Sequence, residues 1–220
     1  MYGQYCMQSR PKSQGRRGVP SSFPPVPPGY KSQAGVTQWD YKTLIRRLEK
    51  TVEEGEVLQL YRVGIWEPDE SLSGAVAEQL AGRGVELIRG SHPAQLSAAP
   101  LDLLAVAPQA TGWAGAGAVH SPMVLLPGTA GPLARCLGSG CAVSYGTSHR
   151  DTLTFSSLEG AQIGLAVQRE LVTLAGDVVE RQELPLPLPA GWPPVLLLAA
   201  AGVLLLAGIP PEELNAALLP

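Results

Sequence analysis

Apolar positions along this chain change their spacing three times. Tyr41, Leu44, Leu48 and Val52 recur at three- or four-residue intervals, which predicts a helix over about residues 40–54, with Trp39 just ahead of it. From Val57 the apolar residues gather into short, nearly continuous runs separated by Gly-, Pro- or Asp-bearing segments. Val57–Val63, Val85–Ile88, Leu101–Ala107, Met123–Leu126 and Cys141–Tyr145 read as strands, and the 101–107 run is apolar enough to be covered on both faces. Between them, Asp69 or Ser71 can cap a helix running to about Leu80, which Gly82 and Gly84 end. Pro127-Gly-Thr-Ala-Gly131 turns into a second short helix ending near Gly138, and Ala110 to His120 is a Gly/Ala-rich loop.

After Asp151 the alternation changes. Thr152–Ser157 reads as a strand, and Ile163–Thr173 with Val178–Leu184 as a hairpin turning about Ala175-Gly-Asp177. A charge-free stretch then runs from Leu184 to Pro211 and contains the run Val195–Ile209. That run is about fifteen residues between two proline pairs and covers roughly 22 Å as a helix. A membrane span needs ~20 apolar residues to cross ~30 Å. The run is therefore read as a helix buried in a core, with a short span or membrane-seated hairpin as the alternative. A final helix is expected over Pro211–Leu219, with Glu212 and Glu213 in its first turn where carboxylates suit the helix dipole. Strands alternating with helices imply an α/β fold in three layers: a mostly parallel, doubly wound sheet with a C-terminal β-hairpin and helices.

Composition adds a boundary. Residues 1–36 are rich in Pro, Gly, Ser and Gln, include Phe23-Pro-Pro-Val-Pro-Pro28, and are read as a disordered tail; residues 37–220 are read as a single α/β domain. The tail carries five basic residues (Arg10, Lys12, Arg16, Arg17, Lys31) and no acid, so the overall −3 leaves about −8 on the rest. A net-acidic body is a poor nucleic-acid binder. Cys6, Cys136 and Cys141 are too few and too unevenly placed for a disulfide framework, and no second pair stands at zinc-ligand spacing. With no apolar signal-peptide core at the start, a reducing cytoplasm is expected.

From about Met123 to Leu219 the order of elements resembles the second half of the central domain of the Mur ligases, the ATP-dependent amino-acid ligases of bacterial peptidoglycan synthesis. The strand ending Val143-Ser-Tyr-Gly146, the hairpin of 163–184, Leu184-Pro-Leu-Pro-Leu-Pro189, the Ala/Leu helix, Gly208-Ile-Pro210 and Glu212-Glu-Leu214 follow that order. The resemblance implies the fold. The family's phosphate loop, Gly-x-x-Gly-Lys-Ser/Thr, is absent from the sequence, and Trp192-Pro-Pro194 stands where a His-Asn pair opens the family's long helix. ATP binding and ligase chemistry are therefore not carried over, and no catalytic residue is assigned.

Ligands of open parallel sheets bind beyond the carboxyl ends of the strands. Two loops qualify. Gly128, Thr129 and Gly131 follow a strand and enter a helix, so their amides suit an anion, although glycine there also serves a tight turn. Gly146-Thr-Ser-His-Arg-Asp151 also follows a strand, and Ser148, His149, Arg150 and Asp151 form the densest polar cluster of the body. His149 and Arg150 suit phosphate or carboxylate, Asp151 could orient the histidine, and the bland alternative is a solvated turn. Gln168-Arg-Glu170, placed mid-strand, and Glu180-Arg-Gln-Glu183 suggest cross-strand charge pairs or a partner face. Gly112-Trp-Ala-Gly-Ala-Gly117 lacks a strand–turn–helix setting and reads as a flexible crossover carrying Trp113. The expected role is non-catalytic: binding a partner protein or a small anionic ligand, with no cofactor, metal or nucleic acid. The alternatives are an enzyme acting on a phosphorylated or carboxylated metabolite through the two loops, and membrane association through 195–209.

Overall fold

Five apolar runs become the parallel strands of one sheet. A computed structural model describes residues 60–137 and 139–218. The expected tail, the 1–36 boundary and the helix over 40–54 lie outside the described residues. The parallel strands are β1 (Tyr61–Trp66), β2 (Val85–Gly90), β3 (Leu103–Val106), β4 (Met123–Pro127) and β5 (Cys141–Tyr145). β6 (Leu153–Glu159) adds a short parallel pairing to β5 through Tyr145 and Leu153, then turns back antiparallel as β7 (Gln162–Val167). β10 (Gln182–Pro187) closes the sheet antiparallel to β7. The order across the sheet is β10-β7-β6-β5-β4-β3-β1-β2. The chain goes from β1 to one neighbour, β2, and returns on the other side as β3. The winding reverses between β1 and β3, the kind of crevice where open α/β sheets bind ligands.

The hairpin about Ala175-Gly-Asp177 exists as a separate two-stranded sheet of β8 (Leu171–Val172) and β9 (Val178–Val179). Each strand read as continuous is in fact two. The breaks fall at Gln168-Arg-Glu170 and Glu180-Arg181, so Gln168, Arg169 and Glu170 do not stand mid-strand. Among the described residues no ion pair joins Arg169 or Arg181 to Glu170, Glu180 or Glu183. The charged residues mark where the strands leave the sheet rather than pairing across it.

Two apolar layers flank the sheet. On one face α1 (Ser71–Leu80), α4 (Pro194–Leu206) and α5 (Leu214–Ala217) pack with Val63, Ile65, Leu125, Tyr145 and Leu153. On the other, α2 (Pro93–Leu96) and α3 (Gly131–Leu137) pack with Trp66, Leu104, Val106, Val124 and Leu126. Strand alternation explains the division: Ile65 faces one layer and Trp66 the other.

α4 is the charge-free run, and it is a core helix. Its thirteen residues touch α1, β4, β5, β6 and α5, and every residue from Leu196 to Leu206 is buried. Such a helix is apolar all round because it is enclosed all round. Gly202 lets it approach the sheet: a Cβ there would lie 2.8 Å from both Leu125 and Leu153 methyl carbons. Among the described residues no helix is long and apolar enough to cross a membrane.

Candidate functional site

The carboxyl edge of the sheet carries the loops that follow the five parallel strands, in the spatial order β2, β1, β3, β4, β5. The loop after β1 is Glu67-Pro-Asp-Glu70. Three acids stand where α1 presents its first, unpaired amides. The Glu67 carboxylate folds back onto them. Its Oε2 accepts the Leu72 and Ser73 N–H groups at 2.8 and 3.0 Å. The expected cap is present in part, since Asp69 Oδ1 accepts from the Ser71 N–H at 3.3 Å and from its hydroxyl at 2.7 Å. Glu67 does the larger share, on two amides, and is only 3% exposed. The helix N-terminus that could hold a phosphate thus holds a carboxylate of the chain itself.

Arg89, near the end of β2, answers these charges. Its Nη2 lies 2.6 Å from Glu70 Oε1, and its Nε lies 3.3 Å from Glu67 Oε1 without hydrogen-bond geometry. Glu70 has a left-handed backbone, with φ at 56°, the one non-glycine residue so placed among those described. Two buried side-chain polar atoms there lack a hydrogen-bond partner, Trp66 Nε1 and Glu67 Oε1, and they belong to consecutive residues at the end of β1. A cavity of about 310 Å³ opens beside Glu67, lined also by Glu70, Arg89, Ser91 and Gln95. Sequence reasoning assigned no role to Glu67. The available signal was the acid run of 67–70 directly after a strand, in the turn where a phosphate loop would supply glycines and a lysine.

The structure brings the two expected loops together. β4 and β5 are neighbours, so the turns at 127–131 and 146–151 sit side by side. Asp151 is the junction. It is buried, its Oδ2 accepts the Ser148 N–H at 3.2 Å, and its carboxylate fills the space above Gly128 and Gly146. A Cβ on Gly128 would overlap that carboxylate, so glycine here provides room for Asp151. Asp151 makes no hydrogen bond to His149; it fastens its own turn, with the Asp151 N–H donating to Ser148 O at 2.9 Å. Thr129, Gly131, Ser148, His149 and Arg150 are exposed, and the side chains of His149 and Arg150 form no hydrogen bond or ion pair with described residues. The cavity beside Glu67 is elsewhere, as is a second one of about 320 Å³ along Ser157, Gln162, Gly164 and Glu183.

Tyr145 anchors this part of the edge. Its hydroxyl donates to Val106 O at 2.6 Å, and burial pushes the phenol far above its ordinary pKa, so it stays a neutral donor. Between the two acid-filled turns lies the loop after β3. Residues 107–119 carry no charge, and Trp113 is 38% exposed within them. Among the described residues no cluster of three or more His, Cys, Asp or Glu side chains could hold a metal ion.

No protein-family model matches the chain, and no curated protein matches it. Solved structures do. A UDP-N-acetylmuramoylalanyl-D-glutamyl-2,6-diaminopimelate–D-alanyl-D-alanyl ligase from Acinetobacter baumannii is similar at 10% identity with a TM-score of 0.46, over 75% of this chain and 46% of that one. Two crystal structures of MurF from the same organism match at 10% and 9% identity, with TM-scores of 0.45 and 0.46, over 81% and 78% of this chain. The chain spans about half the length of those ligases.

Proposed function

We propose that this is a non-catalytic binding domain whose target is a partner protein, met by the loop that follows β3. The supporting observation is Trp113, 38% exposed within a loop that carries no charge, on the carboxyl edge beside the winding reversal. Exposed tryptophans in neutral surroundings serve protein interfaces, where aromatic anchors carry much of the binding energy. The neighbouring turns favour the same reading. Glu67 takes the helix amides after β1, and the Asp151 carboxylate stands against Gly128 after β4, so both turns already carry an internal negative charge. The test is comparative capture from extracts of the source cells. A protein retained by wild type and by Arg150→Ala, but lost with Trp113→Ala, supports the reading. Equal capture by all three chains overturns it, and so does micromolar binding of Mg-ATP by calorimetry.

A second reading, a small anionic ligand, rests on the exposed and unpartnered His149 and Arg150 beside Thr129 and Ser148. It requires inorganic phosphate to bind the wild type and Arg150→Ala to weaken that binding about tenfold.

A further inference from the structure

The two edges of the eight-stranded sheet are built differently. Along β10 the Leu188 N–H donates to Ala161 O at 2.8 Å, and the antiparallel register with β7 turns residues 182, 184 and 186 inward in the same way. The outward positions are Glu183, Pro185 and Pro187, so two of the three have no N–H to offer. Prolines on an edge strand block pairing with another chain. Along β2 the Tyr61 N–H donates to Gly84 O at 2.8 Å and the Glu67 N–H to Gly90 O at 3.0 Å. The parallel register between these bonds turns residues 86 and 88 toward β1. It leaves the N–H and C=O groups of Val85, Leu87 and Arg89 pointing away from the sheet. Among the described residues no backbone hydrogen bond reaches those groups from the outer side. Charge does not guard this edge, because both charged side chains of β2 are drawn back to their own sheet. Glu86 pairs with Arg62 at 3.0 Å and Arg89 with Glu70 at 2.6 Å. Between them, Leu87 and Ile88 are half-buried, one on each face.

We propose that β2 pairs antiparallel with β2 of a second copy of this chain, joining two sheets into one. The second copy follows from what the edges allow. Pairing through β10, with its own copy or with β2 of another, meets the two prolines. A head-to-tail contact of β2 with β10 would also run on without closing, whereas β2 against β2 closes under a two-fold axis. In one register the strand is complementary to itself. An axis at Leu87 sets Leu87 opposite its own copy and Val85 opposite Arg89, and every outward group of both strands is then paired. Moving the axis by one residue leaves Val85 or Arg89 without a strand partner. The contact is one six-residue strand from each copy, so the dimer is expected to be weak, in the micromolar range. It does not involve the Trp113 loop, and neither reading depends on the other.

The test is sedimentation equilibrium on the full chain. Wild type should pass from monomer to dimer as its concentration rises, and a chain that stays monomeric to about 200 µM overturns the proposal. Leu87→Pro gives β2 the feature that blunts β10. The N–H it removes is an outward one, so the pairing with β1 is kept, and dimer affinity should fall about tenfold or more. Glu183→Lys, on the β10 edge, should leave the dimer unchanged. A dimer that a folded Leu87→Pro chain still forms fully, or that Glu183→Lys abolishes, overturns the proposal. Leu87 also packs partly against the core, so circular dichroism checks the fold of the proline variant, and oxidative cross-linking tests the register without it. The axis at Leu87 brings the two Cα atoms to about 5.5 Å, within disulfide range. Leu87→Cys should therefore form a disulfide between the two substituted positions, located by mass spectrometry, faster than Ile88→Cys does. Equal or slower cross-linking at position 87 overturns the proposal.

Discussion

The turns after β1 and β4 occupy equivalent places on the carboxyl edge, and each is filled by a carboxylate of the chain, yet the two are built differently. Glu67 reaches forward onto the amides of Leu72 and Ser73 with one oxygen and pairs with Arg89 through the other. Asp151 comes from a different loop, bonds the amide of Ser148 in its own turn, and sits in space that Gly128 and Gly146 leave open. The first arrangement is electrostatic. The second is steric. Position on the sheet edge therefore does not by itself make a ligand site.

Both turns depend on one platform, which sets the largest expected effect. α4 touches α1 below the first turn and β4 and β5 below the second. Leu204 is fully buried in it, so Leu204→Asp would place an unpaired carboxylate in the core. Losing the leucine alone removes about 1.5–3 kcal/mol, and the buried charge adds several more, enough to unfold a domain of ordinary stability. Far-ultraviolet circular dichroism and urea titration should show loss of cooperative unfolding. A variant that unfolds at the wild-type urea midpoint would show that the two turns do not share a core.

Glu67→Ala addresses the electrostatic turn. Two amides lose a charged acceptor and Arg89 loses one partner, so a cost of about 2–4 kcal/mol is expected. Opening the cradle should also let inorganic phosphate reach the amides of Leu72 and Ser73. Urea denaturation with and without phosphate checks both points: the variant should be destabilised and should recover part of the loss in phosphate, where wild type shows no gain. A cost below half a kcal/mol would reduce Glu67 to a passive surface acid.

Gly128→Ala addresses the steric turn, at about 1–3 kcal/mol, because the added methyl meets the Asp151 carboxylate. Asp151→Ala removes the obstacle, so the double variant should be less destabilised than the two single costs add to. A double-mutant cycle reads that coupling directly. Strict additivity would mean that Gly128 is there for its backbone and not for Asp151, and the contrast between the two turns would lose its steric half.

What the sequence disclosed divides along the same line. Periodic features were legible. The alternation of apolar runs gave the parallel strands and the three layers, and the charge-free run of 195–209 gave the enclosed helix, because burial on all sides leaves a compositional mark. Strand ends were less so: β1 continues through Ile65 and Trp66, and the strands at 163–173 and 178–184 each break at their charged residues. The convergence of Gly128 with Asp151 has no local signature, since it depends on β4 and β5 becoming neighbours. Glu67 was passed over because it caps at a reach of five and six residues, outside the short Ser/Thr/Asp spacing by which caps are recognised.

The smallest effect on stability is expected between the two turns, at Trp113, and there the measurement that matters is binding. The loop after β3 lies between the acid-filled turns but contains neither a charge nor an internal carboxylate. Trp113 is 38% exposed and its backbone carbonyl accepts the Ala116 N–H at 3.1 Å, a bond that alanine keeps. Trp113→Ala should therefore change unfolding free energy by no more than about 0.5 kcal/mol, as surface substitutions generally do. Unfolding followed by circular dichroism suits this variant, because the fluorescence of the substituted tryptophan is lost. If the change instead exceeds about 2 kcal/mol, the ring serves the fold and the middle of the edge is closed like the turn after β4. If stability holds while a specific partner is lost, the edge has three distinct states: charged and open at β1, neutral and outward-facing at β3, packed shut at β4.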